Sequence, residues 1–310
     1  MMRLSTVAWY GTQTGNMARL QANAGTLQTD IATGRRLRMP SDDPVASARA
    51  DRLARVESQA RSWQANGDTA ARRLETSSTA LIDMSDQVAR MRELALAAAN
   101  DTMTPTDRQT IAVEVRELTE GLLSLANTQG PDGRHVFAGA ASGAPAYARV
   151  DGAIAWQGDG NAARVPIGEG RTIAVGDRGD ETFAAADGTS LFQIAEALGA
   201  ALEATPADQV ETDDARVARR AALDTALTRL DQAADRIGEV AAAQGARLSQ
   251  IDATNTRHDT DILEAIAARS ALEDTDITRA IVDLERTLTL LQAAQAGFTR
   301  ISGLSLFQRL

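Results

Sequence analysis

The chain has 310 residues, no Cys, and 32 basic against 42 acidic side chains, a net charge of −10. Without Cys there is no disulfide framework, thiolate metal site or cysteine nucleophile, and the acidic balance argues against general nucleic-acid binding, which needs a basic patch to release counterions from phosphate. Only 3% of residues are aromatic, and a chain rich in Ala, Leu, Arg, Glu and Gln suits long helices, because these side chains lose little freedom in a helix.

Charge is unevenly spread. Residues 1–73 carry 11 Arg against 6 acids and the remainder 21 against 36, with no acid before Asp30. Arg3 is followed by Leu4 to Gln13, a stretch too short and too polar for the apolar run of a cleaved secretory signal. No run of about 18 apolar residues occurs, so membrane insertion is not expected.

Met17, Leu20, Ala24, Leu27 and Ile31 predict an amphipathic helix stopped by Gly34. The dense basic cluster Arg35-Arg36-Leu37-Arg38 is expected to meet acids of a neighbouring subunit or to stay in solvent. In Pro40-Ser41-Asp42-Asp43-Pro44, Asp42 or Asp43 can cap a helix and Pro44 suits its first turn. From Val56 through Ala60, Trp63, Gly67, Ala70, Leu74, Ser77, Leu81, Met84, Val88, Met91, Ala95 and Ala98, small or apolar residues alternate steps of four and three. That spacing predicts one long amphipathic helix over 44–100.

Thr104 and Pro105 then read as cap and first residue of a second helix over 105–128, seamed by Ile111, Val115, Leu118, Leu122 and Leu125; its short connection implies an antiparallel pair. Residues 130–192 hold 12 of the 23 Gly and five of the ten aromatics. Short runs at 135–137, 153–156, 163–167 and 171–175, divided by Gly beside Asp, predict a small inserted β domain. A last long seam runs from Leu223 to Leu272 with polar Gln244, Asn255 and His258 on it, then slips by one residue at Ile277. A helix break is therefore expected near 270–276, with Ser270 to Glu273 fitting a capping box.

The expected fold is mainly α: a long antiparallel helical bundle or coiled coil formed by both chain ends, with the small β domain inserted. Its expected parts are a terminal helical pair (1–43 with 270–310), a long-helix bundle (44–130 with 193–269) and an outward β domain (131–192).

Catalytic and metal patterns are missing. His135 and His258 are the two His of the chain, and no His-Glu-x-x-His run, phosphate-binding Gly loop or Gly-x-Ser-x-Gly elbow is present. The Asp-Thr-Asp triplets at 259–261 and 274–276 lack the turn Gly and distal Glu of a calcium loop and suit helix caps and solvated charge. Neither an enzyme nor a cofactor or metal is expected.

Residues Leu27 to Ala48, with Pro40-Ser41-Asp42-Asp43-Pro44-Val45-Ala46 at their centre, resemble the N-terminal signature of the bacterial flagellin family, in the form of its hook-associated protein 3 branch. Gly133-Arg134-His135-Val136-Phe137-Ala138-Gly139, Ile167 to Val175, and Leu291 to Ala296 with Ile301 to Phe307 are similar to later stretches of the same branch. The resemblance covers essentially the whole chain. It implies an extracellular structural subunit of the bacterial flagellum at the junction of hook and filament, exported without a cleaved signal peptide. It also implies four partners: copies of itself in a tubular ring, the adjoining hook-associated junction protein, a flagellar export chaperone and the flagellar type III export apparatus.

In this family the paired terminal helices line the inside of the polymer. The expected packing surface is therefore Met17, Leu20, Leu27 and Ile31 against Ile281, Leu284, Leu288, Leu291 and Phe298, with Leu306 and Phe307 at the apolar end. Flagellin itself, and a soluble coiled-coil adaptor or signalling protein, are the competing readings.

Overall fold

The computed structural model describes residues 2–141 and 143–307, and the side chains of 8–141 and 143–302. The helices are α1 (Met2–Thr33), α2 (Pro44–Ala98), α3 (Pro105–Ala126), α4 (Gly179–Thr182), α5 (Leu191–Glu203), α6 (Asp213–Glu273) and α7 (Ile277–Phe307). The strands β1 (Tyr147–Val150), β2 (Ala153–Trp156), β3 (Arg164–Gly168) and β4 (Arg171–Ala174) form two separate antiparallel hairpins, β1-β2 and β3-β4. The chain divides into a terminal unit (Met1–Gln59 and Asp261–Leu310) and a central unit (Ala60–Thr260).

In the central unit α2, α3 and α6 run antiparallel. Arg90 of α2 pairs with Glu114 of α3 at 2.7 Å, and a Cβ on Gly121 would lie 2.8 Å from the Gln87 amide oxygen. Ser77 and Arg92 of α2 meet Gln244 and Asp231 of α6. The predicted seam is the core: Leu81, Met84, Val88 and Met91 pack with Ile111, Val115 and Leu122 of α3 and Leu223, Leu230 and Ile237 of α6, all buried. Thr104 caps α3 with Asp107 in a reciprocal capping box.

The polar seam positions each hold a hydrogen bond. The Gln244 amide donates to Ser77 at 2.8 Å and to Asp177 at 2.6 Å, Asn255 donates to Asp68 at 2.9 Å, and the His258 Nε2 lies 2.8 Å from the Ile167 carbonyl. Asn255 also crowds Gly67, where a Cβ would come within 2.6 Å of its oxygen.

The inserted segment explains the local wealth of Gly and aromatics. Phe137 meets Phe183 edge-on with ring centres 4.8 Å apart, Tyr147 lies tilted against Phe192 at 4.7 Å, and all four rings join the same core. The side chain of Asn127, just beyond α3, accepts from the Tyr147 N–H and donates to the Tyr147 carbonyl, both at 2.9 Å, so the bundle fixes the start of β1. Asp151 (φ 51°) and Gly152 (φ 90°) form the tight turn between β1 and β2.

Three details depart from expectation. Residues 135–137 form no strand; His135 makes an isolated bridge to Gln129 and its Nδ1–H donates to the Asn127 carbonyl at 2.7 Å. Strand β1 and helix α4, four residues each, are too short for either period to stand out, whereas α5, thirteen residues without a sequence expectation of their own, has a Ser190–Gln193 capping box and a buried seam of Leu191, Ile194, Ala195, Leu198 and Leu202. Ser270 lies inside α6 and its hydroxyl bonds the Asp274 carboxylate, while the cap of α7 is Asp276, which accepts from the Arg279 N–H at 3.1 Å. Asp276 wins because it immediately precedes the helix.

Two guanidiniums, Arg108 and Arg219, are buried where α2 ends and α3 and α6 begin, and both reach Glu211, at 3.1 and 2.8 Å. Arg219 also donates to the Ala98 carbonyl at 3.0 Å. The Arg219 hydrogen bonds hold the Glu211 carboxyl below its ordinary pKa. A depressed carboxylate lends stability above its unfolded pKa and loses it as pH falls through the folded value. Glu211→Gln is therefore expected to cost about 3 kcal/mol near neutral pH, since it removes the carboxylate that two buried cations share and leaves Arg219 only its longer ion pair with Asp101 at 3.6 Å. In thermal melts the gap from the parent chain should close as the buffer is acidified through the carboxylate range; a gap that persists in acid would assign the loss to packing.

Candidate subunit-packing surface

In the terminal unit α1 packs antiparallel on α7. Trp9 stacks on Phe298 with ring centres 6.4 Å apart, and Tyr10 meets the same ring edge-on at 5.4 Å. Along α1 the sheltered positions are Tyr10, Gln13, Met17, Leu20, Ala24, Leu27 and Ile31; along α7 they are Ala280, Leu284, Thr287, Leu291, Ala294 and Phe298. Both series alternate steps of three and four, so each helix turns one stripe inward.

The structure thus brings Met17, Leu20, Leu27 and Ile31 onto the same helix pair as Leu284, Leu291 and Phe298, each only half-buried. Ile281 (43% exposed) and Leu288 (36%) lie on the open edge of that stripe. The side chains of Leu306 and Phe307 fall outside the described residues. The small residues Ala24, already on the predicted stripe of α1, and Ala280, absent from that of α7, are the most buried apolar positions of the pair. A stripe of small side chains lets the helix axes approach, and a search for large apolar residues passes over Ala280.

The break between α6 and α7 is held by the link between α1 and α2. Helix α1 ends because Gly34 turns left-handed, with φ 70°. Its carbonyl accepts from the Thr275 N–H at 2.9 Å, the Arg36 N–H donates to the Glu273 carbonyl at 2.7 Å, and the Arg36 guanidinium donates to the Leu272 carbonyl at 2.9 Å. The basic cluster therefore finds partners within the chain: Arg35 pairs with Glu273 at 3.9 Å and Arg38 with the buried Asp30 at 3.3 Å.

In the motif turn, Pro40, Ser41 and Pro44 are exposed and the two acids act on the backbone. Asp42 accepts from the N–H groups of Met39 at 2.9 Å and Arg38 at 3.1 Å, which hold its carboxyl below the ordinary range. Asp43 caps α2, accepting from the N–H groups of Ala46 at 2.9 Å and Val45 at 3.1 Å. The motif thus satisfies the backbone of the link between two helices and offers no reacting group. Among the described residues no three His, Asp or Glu are grouped to hold a metal ion, and no helix is long and apolar enough to cross a membrane.

Residues 5–142 match the model of the bacterial flagellin N-terminal helical region, which contains α1, the motif turn, α2 and α3. Those residues are a flagellin-family region. The resemblance to this family continues beyond it. The flagellar hook-associated protein 3 of Escherichia coli K12 is 28% identical to this chain over 99% of both, and that of Salmonella typhimurium LT2 is 25% identical over 99% of both. The crystal structure of flagellar hook-associated protein-3 from Legionella pneumophila, 16% identical, shares the fold with a TM-score of 0.66, covering 72% of this chain and 98% of that one.

Gly34→Ala is expected to cost about 1 kcal/mol or more, because an L side chain is strained at that φ, and Asp43→Ala about 1 kcal/mol through loss of the cap. Hydrogen exchange separates them. Gly34→Ala should speed the amides of Arg36, Leu37 and Thr275 together, whereas Asp43→Ala should act at the start of α2.

Proposed function

We infer that this chain is a structural subunit of the bacterial flagellum that joins the hook to the filament. The observation that carries the reading is the end-to-end likeness to hook-associated protein 3, to which both chain ends and the inserted β segment contribute. The relatives are structural proteins, and the motif turn, the best-marked segment of this sequence, orients helices.

The packing set Met17, Leu20, Leu27, Ile31, Ile281, Leu284, Leu288, Leu291 and Phe298, with Leu306 and Phe307, closes a ring of copies in which the terminal helices face the channel, the long helices form the next shell and the β segment faces outward. Further partners are the adjoining hook-associated junction protein, an export chaperone and the type III export apparatus, through which the chain passes without a cleaved signal. Ile281 and Leu288 support this arrangement: they are large, apolar and left open by α1, so they are free to meet a neighbour.

Deleting the gene tests the reading. The expected outcome is bare hooks with monomeric flagellin spilling into the medium; bare hooks with little released flagellin would make the chain a filament subunit, and intact motile filaments would remove the junction role. Ile281→Ala with Leu288→Ala is expected to shift the melting of the isolated chain by less than the equivalent of about 1 kcal/mol each, because both side chains sit on the open edge of the pair and neither is in a closed core, yet to reduce filament attachment in cells. Equal loss in both assays would place these two side chains inside the single chain's own packing.

A further inference from the structure

Helix α2 opens with a stripe that none of the described residues covers. Val45 (63% exposed) and Val56 (47% exposed) enclose the exposed Arg49 and Arg52 at steps of four, three and four residues, so the four share one helix face. Unlike Arg35 and Arg38, neither Arg49 nor Arg52 has an ion pair or side-chain hydrogen bond among the described residues. The central part of the same helix carries a face of opposite sign. Ile82, 58% exposed, lies beside the exposed Asp83 and Asp86, whose carboxylates are equally unpaired.

The wider charge distribution has the same polarity. Residues 35–55 hold six Arg against three acids, while the central unit holds 19 Arg against 30 acids. Copies that met central unit to central unit would set acid against acid, which disfavours that pairing. A basic stripe with apolar ends has its complement in an acidic face around an exposed Ile.

We propose that the Val45, Arg49, Arg52 and Val56 stripe docks on the Ile82, Asp83 and Asp86 face of a second copy of this chain. The proposal rests on the reading that copies assemble at the junction and adds which surfaces meet. The valines and Ile82 exclude water, and in the resulting drier contact the Arg–Asp pairs hold better than exposed pairs do. Because the charges approach the surface, added salt weakens the contact.

The Cys-free chain makes the test direct. Val45→Cys with Ile82→Cys introduces the only thiols, and after treatment with a short thiol-specific bifunctional reagent the docking is read as dimers whose mapped junction joins position 45 of one copy to position 82 of another. In flagella sheared from cells carrying this variant, linked pairs of the chain are expected. Adding Arg49→Glu with Arg52→Glu should lower their yield on the order of tenfold, and adding Asp83→Arg with Asp86→Arg on top should restore it. Restoration keeps the test decisive, since an unfolded chain cannot be rescued by a second charge swap. If the chain is present in the flagella and gives no linked pairs, or if linking ignores the charge swaps, the docking is overturned and the junction role stands. Absence of the chain from the flagella overturns the junction role and the docking with it.

Discussion

The terminal helices cannot build a core by themselves, and the architecture of the chain ends follows from that. Among the described residues of the terminal unit the buried apolar side chains are Ala24, Ala46, Ala50, Ala265, Ala280 and a single larger one, Ile262. Full burial of a large apolar side chain yields roughly 1.5–3 kcal/mol, and Met17, Leu20, Leu27, Ile31, Leu284 and Leu291 reach only part of it on the α1–α7 pair. Fixing the backbone costs about 1–2 kcal/mol per residue. Two helices seamed by Ala and half-buried Leu therefore gain from any further surface that covers their open edge. The central unit is built the other way, with Leu74, Leu81, Met84, Met91, Leu122 and three Phe wholly buried. It is a folded scaffold, and the ends are surfaces.

Polar atoms supply what apolar packing leaves undetermined. An Ala- and Leu-rich seam with a regular four-three step can slide by one repeat and still bury apolar area. Gln244 on Ser77 and Asp177, Asn255 on Asp68 against Gly67, and His258 on the Ile167 carbonyl favour one register, because each displaced amide or imidazole would lose its partner, a buried one for Gln244 and His258. The Gly34–Thr275 and Arg36–Glu273 backbone bonds serve the terminal unit in the same way: they tie the link between α1 and α2 to the break between α6 and α7. Asp42 and Asp43 complete that corner by satisfying the N–H groups of Arg38, Met39, Val45 and Ala46.

Long helices were legible because thirteen seam positions repeat without a slip, and periodicity accumulates with length. Caps at Asp43 and Thr104 were legible because their chemistry is local. What stayed hidden was set by tertiary contact. His135 and Phe137 have strand composition, yet the Asn127 carbonyl and the Phe183 ring claim them, so no ladder forms. Ser270 fits a capping box by spacing, but α6 continues through it and Asp276 takes the cap. On α7 the eye selects Ile277, Ile281 and Leu288, whereas the face toward α1 is centred on Ala280, Thr287 and Ala294, and only Leu284, Leu291 and Phe298 belong to both descriptions. Helix pairing rewards close approach as well as hydrophobic area, and a reading by side-chain size registers only the second.

The division of charge carries the last step. Surface pairs contribute little to the stability of a single chain, so the excess of 11 acids over Arg in the central unit has no stabilising role there. Its effect falls on association: like-charged faces repel, and a neighbour is admitted only in an arrangement that sets Arg against acid. Coverage of α1 and α7 could come from many apolar helices, since Leu and Ile discriminate poorly by shape. Unpaired Arg49 and Arg52 beside two exposed valines, and unpaired Asp83 and Asp86 beside an exposed Ile82, add the discrimination that the apolar seam lacks. In the proposed docking, affinity and partner choice fall on different surfaces of the same subunit.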